Sequence, residues 1–165
     1  MKADERRVPF APTSDSILAE RMPELGRRLR SGEQPTFILL LGCGAGRGLL
    51  GLSQSFPTAR ISAIAEDDFS LLLTERLLKD RPNVQVLKLD ESKRRFSDLS
   101  RSYDLIVVEQ GSAKDEYSVG DLISSLRSGG ALLLFDEARP TRLSNFEEGI
   151  VSCEAKSTRF WLGRK

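Results

Sequence analysis

The spacing of apolar positions changes several times along this chain, and each change predicts an element. Ile17, Leu18, Met22, Leu25 and Leu29 recur at helical spacing, so residues 16–31 read as a helix that Pro23 interrupts or restarts. Residues 1–15 mix charges with Pro9 and Pro12 and read as a poorly ordered lead-in. The sheet core then begins at Thr36 with Phe37-Ile-Leu-Leu-Leu41, an unbroken apolar run of the kind found in strands buried on both faces. Further strands are expected over 60–66, 83–90, 103–109 and 130–136, with helices over 47–56, 68–79, 92–100 and 115–127 between them. A helical segment over 142–148 follows, then two last strands, 150–155 and 158–163, around a polar turn at Lys156-Ser157.

Strands that alternate with helices in this way predict an α/β fold, a doubly wound and mostly parallel sheet with helices on both faces. At 165 residues the chain fits one domain, 1–165, with the sheet core over 36–165. In such sheets a ligand lies in the crevice beyond the carboxyl ends of the strands. At the end of the first strand stands Gly42-Cys43-Gly44-Ala45-Gly46, and a helix can follow with its N-terminal N–H groups facing a ligand. The dinucleotide fingerprint needs a third glycine three residues after the second, and in either register that place holds Arg47 or Leu49. The Gly-Lys-Ser/Thr of a phosphate-cradling loop is absent as well. The plainer reading of the same glycines is a turn that packs a helix onto a strand. Acidic residues stand at or just after four strand ends: Glu66, Asp90, Glu109 and Asp136. Each is also an ordinary polar turn former.

Gly-x-Gly-x-Gly after a buried strand, with these acids in order, resembles the successive motifs of the class I S-adenosylmethionine-dependent methyltransferases over about residues 36–137. The resemblance implies a Rossmann-like fold whose seven-stranded sheet is closed by an antiparallel pair, here the last two strands, and S-adenosylmethionine as cofactor. It implies that Gly42, Cys43, Gly44, Ala45 and Gly46 hold the methionine part of that cofactor. Glu66 and Asp67 would stand at the ribose, Asp90 and Glu91 at the adenine, and Glu109 toward the reacting centre. Leu126-Arg-Ser-Gly-Gly130 resembles the family's turn into its fifth strand. The chain departs from the pattern twice: Leu40 stands where an acid two places before the first glycine is usual, and Ala65 falls at the ribose position unless the strand end is shifted by one. The stretch from Asn83 to Glu109 is also similar to the spermidine synthase branch, although that branch's Gly-Gly-Gly-Asp-Gly-Gly motif is missing.

Composition narrows the chemistry. The chain has no histidine, which removes the commonest general base and the commonest metal ligand. Its two cysteines, Cys43 and Cys153, match no metal spacing, and no metal is expected. Net charge is +1, so the basic clusters Arg27-Arg28-Leu-Arg30 and Lys93-Arg94-Arg95 read as solvated helix faces before they read as a nucleic-acid surface. No signal peptide and no apolar run near membrane-spanning length is visible, so the expected location is the cytoplasm, with no membrane partner. The expected function is methyl transfer to a small-molecule acceptor, with Glu109, then Tyr117, as candidate base. The alternative is a non-catalytic methyltransferase-like or spermidine synthase-like protein serving as a binding or assembly subunit. Little chain is left for a substrate lid, so a homo-oligomer or a partner subunit is expected to cover the open cleft.

Overall fold

The computed structural model describes residues 34–44, 46–65, 67–88, 103–108, 119–135, 146–153 and 156–164, with the backbone alone for 119–120, 135, 146–153, 156–161 and 164. The elements in chain order are β1 (Phe37–Leu41), α1 (Arg47–Ser55), β2 (Arg60–Ala65), α2 (Asp68–Leu77), β3 (Val84–Lys88), β4 (Tyr103–Val108), α3 (Val119–Ser124), β5 (Leu126–Phe135), β6 (Phe146–Cys153) and β7 (Lys156–Arg164). The strands form one seven-stranded sheet in the order β3-β2-β1-β4-β5-β7-β6. β3, β2, β1, β4 and β5 are mutually parallel, and β7 pairs antiparallel with both β5 and β6.

The unbroken apolar run of β1 has a simple cause. Ile38 and Leu40 face a core layer built with Leu49, Leu52 and Phe56 around α1, whereas Leu39 and Leu41 face a second layer built with Leu122 and Ile123 of α3. Both faces of the strand are therefore covered, and every position is apolar. The expected doubly wound sheet with helices on both faces is what forms.

At the edge opposite the strands' carboxyl ends, Asp104 on β4 accepts hydrogen bonds from the backbone N–H groups of Thr36 and Phe37 at 2.8 and 2.9 Å. Its other oxygen lies 3.6 Å from the Arg127 guanidinium, which stands 4.7 Å above the Phe37 ring. This clasp ties β1, β4 and β5 at their starts.

Three expected boundaries differ. The helix expected to run to 127 ends as α3 at Ser124, its expected residues 115–118 lying outside the described residues, and Leu126 already pairs with Tyr103 as the first residue of β5. The ladder then skips to Leu105↔Ala131, with residues 127–130 looped out between them. Gly130 suits that loop because a Cβ there would stand 2.9 Å from the Arg127 carbonyl oxygen and 3.1 Å from that of Asp104. Residues 146–148, expected at the end of a helical segment, open β6, where Phe146 pairs with Gly163 and Glu148 with Trp161. Lys156 and Ser157, expected in the final turn, instead open β7 and pair with Cys153 and Ser152. In both strands, pairing with a neighbour overrides the local pattern. The lead-in and helix expected over 1–31 and the helix over 92–100 lie outside the described residues.

Candidate functional site

Parallel register brings four strand ends to one edge. Leu41 is level with Ile64 of β2 and Val108 of β4, and Ala65 is level with Lys88 of β3. The sheet reverses its direction of growth between β1 and β4, which in open α/β sheets is where a crevice opens for ligand. The turn that leaves β1 sits at that point.

Two consecutive amides of this turn, Gly42 N–H and Cys43 N–H, donate to the same Ile64 carbonyl at 3.2 Å. Gly46 N–H then donates back to the Cys43 carbonyl at 2.8 Å, and Leu50 N–H to Gly46 at 2.9 Å. The chain thus reverses tightly and enters α1 at once. Gly42, Gly44 and Gly46 all adopt positive φ, at 83°, 50° and 88°. At Gly46 the requirement is double. The backbone is left-handed, and a Cβ would stand 3.2 Å from Thr74 Oγ1 and 3.3 Å from Leu77 Cδ2. Gly44 is exposed, and Gly42 and Cys43 are buried.

No side chain caps α1, and its first turn carries no acid. The positive end of the helix dipole therefore lies beside the turn. An anionic group such as a carboxylate suits that place.

The residues singled out from sequence separate clearly. Gly42, Cys43, Gly44 and Gly46 come together in the turn. Cys43 contributes only its backbone, because its side chain is fully buried and its Sγ lies 3.5 Å from Thr74 Oγ1. Asp67 caps α2: its Oδ1 accepts from Ser70 N–H at 2.7 Å. That backbone hydrogen bond, with smaller help from the Ser70 hydroxyl and the Phe69 amide, holds the exposed Asp67 carboxyl below its ordinary value. Ala65 ends β2 fully buried, so its side chain offers nothing to a ligand. Ala45, Glu66, Asp90, Glu91, Glu109, Tyr117 and Asp136 lie outside the described residues.

One contributor escapes a motif reading. Thr74 is fully buried on α2, beneath the turn, where it meets both Cys43 and the space above Gly46. A signal was present, for Thr74 shares the inward phase of Leu71 and Leu78 and is the polar residue in it.

Next to Ala65, Lys88 of β3 forms a 2.8 Å ion pair with Asp68 at the start of α2. Among the described residues no helix is long and apolar enough to cross a membrane.

A parallel sheet that reverses at β1 and β4, carries a glycine turn at that reversal and closes with an antiparallel pair has the architecture of the class I methyltransferases. The chain is similar in structure to precorrin-6y C5,15-methyltransferase from Geobacter metallireducens GS-15, with a TM-score of 0.68 over 87% of each chain at 17% identity. In sequence it is 33% identical over 129 residues to malonyl-[acyl-carrier protein] O-methyltransferase of Halalkalibacterium halodurans. That match takes in 74% of this chain and 47% of the relative, so the chain spans about half the length of the curated relative it matches. No protein-family model matches the chain. In fold and in sequence alike, the chain is similar to S-adenosylmethionine-dependent methyltransferases of class I. Neither of the two proteins is a spermidine synthase.

Proposed function

We propose that this protein binds S-adenosylmethionine in the Gly42–Gly46 turn and transfers its methyl group to a small-molecule acceptor. The observation that carries the reading is the turn itself. It combines positive-φ glycines, a position at Gly46 where a Cβ would crowd Thr74 and Leu77, and a helix N-terminus whose N-cap is a glycine, at the sheet's switch point. Two methyltransferases among the similar proteins support the same cofactor.

The chain fits such a cofactor in part. The turn and the start of α1 suit an amino-acid carboxylate, which the helix dipole attracts. Glu66 and Asp67 on one side and Asp90 and Glu91 on the other are proposed for the ribose and the adenine. When bound, the cofactor supplies a methyl group already activated on a sulfonium. The protein's own work is then to orient and to exclude water, and orientation is worth roughly 7–11 kcal/mol. That division of labour suits a chain without histidine. Glu109, the residue after β4, is proposed as the group that takes a proton from an oxygen or nitrogen acceptor.

Ala65 favours a second reading, a non-catalytic relative that keeps the sheet as an assembly subunit. Losing one charge-assisted hydrogen bond weakens binding about ten- to a hundredfold, which diminishes a site without abolishing it. Calorimetric titration with S-adenosylmethionine and S-adenosylhomocysteine separates the readings. Micromolar binding that Gly44→Val abolishes is the expected result, since Gly44 is exposed and valine rarely adopts its φ of 50°. Absence of binding at millimolar ligand favours the assembly subunit.

A further inference from the structure

Helix α2 is apolar on two opposite sides. Leu71 and Thr74, with Leu78 just past the helix end, turn inward beneath the glycine turn. At about 100° per residue, Phe69, Leu72 and Leu73 fall together on the side facing away, and Leu77 lies on the flank between them and the glycine turn. Phe69 is 69% exposed, Leu72 47% and Leu77 44%, and these are the exposed large hydrophobic side chains among the described residues. Their gathering on one stripe marks an interaction surface, since scattered exposed leucines are ordinary and clustered ones are not. α2 leads into β3, the outermost strand of the sheet, so the stripe stands at the edge of the described fold.

We propose that a second copy of this chain covers the stripe, with the two α2 helices packed antiparallel about a twofold axis. The charges point to a copy. Arg76 falls within the stripe, while Asp67 and Asp68, the latter also paired with Lys88, precede Phe69 at the helix start. Antiparallel pairing centred between Leu72 and Leu73 sets position 69 of one helix opposite position 76 of the other. Each Arg76 guanidinium then meets the Phe69 ring and the acidic first turn of the opposing helix, and Leu72 meets Leu73. Parallel pairing would instead set like charge against like. The antiparallel contact is isologous, so every favourable pair forms twice. Two helices of ten residues fall short of the roughly 1,200 Å² of a standard interface, so the dimer is concentration dependent and micromolar or weaker.

Sedimentation velocity of the full chain, from low to several hundred micromolar, tests this. A shift from monomer to dimer is expected over that range. Leu72→Glu is expected to hold the chain monomeric throughout, with its melting temperature unchanged. Leu72→Cys is expected to give a covalent dimer under mild oxidation, whereas Gln54→Cys, exposed on α1, gives none. A wild-type chain that stays monomeric overturns the proposal, including one whose own residues 16–31 cover the stripe. A dimer that survives Leu72→Glu overturns it as well. No cofactor enters the experiment, so its outcome is independent of the methyltransferase reading.

Discussion

Asp67 shows how a single carboxylate proposed for a ligand can also serve the fold. Its oxygen is engaged by Ser70 N–H at the start of α2, and the hydrogen bond lowers its pKa from the ordinary 3.8. A carboxyl with a depressed folded-state pKa adds stability that is present above its unfolded value and is lost as pH falls through the folded one. Asp67→Ala is therefore expected to melt below the wild type at neutral pH. The two melting curves should converge as pH drops below the usual carboxylate range, and a gap that persists at low pH would assign the effect to something other than the charged cap. At this scale the glycines were legible, because only a turn without side chains explains three alternating glycines after a buried strand. Thr74 was not, since its role comes from the packing of α2 against the turn and no local motif encodes that.

Among elements, β1, β2 and β4 were read nearly to the residue because they are largely apolar on both faces. The later boundaries were not. Leu126-Arg-Ser-Gly-Gly130 has no strand pattern of its own, and Tyr103 recruits Leu126 across the sheet. The start of β7 moved for the same kind of reason, a ladder that takes in Lys156 and Ser157. The Asp104 clasp likewise joins residues that the sequence separates by 67 and 68 positions. Asp104→Ala leaves the Thr36 and Phe37 amides without their acceptor and is expected to cost about 1.5–3 kcal/mol of unfolding free energy. Denaturant titration checks it, and a loss under half a kilocalorie would show that water replaces the carboxylate without penalty.

At the scale of the molecule, the order β3-β2-β1-β4-β5 fixes where a ligand goes, and the sequence contained that order only through the alternation of elements. The reversal at β1 and β4 puts the glycine turn and the start of α1 at the crevice, and it puts the Asp104 clasp at the far edge. The central claim is that S-adenosylmethionine occupies the first of these edges. Backbone amide mapping by NMR during titration with S-adenosylhomocysteine tests the location directly. Shifts concentrated at Gly42, Gly44, Gly46 and the first turn of α1, with Thr36 and Gly129 unmoved, are the expected result. Shifts absent from the turn, or centred on the opposite edge, would contradict the account.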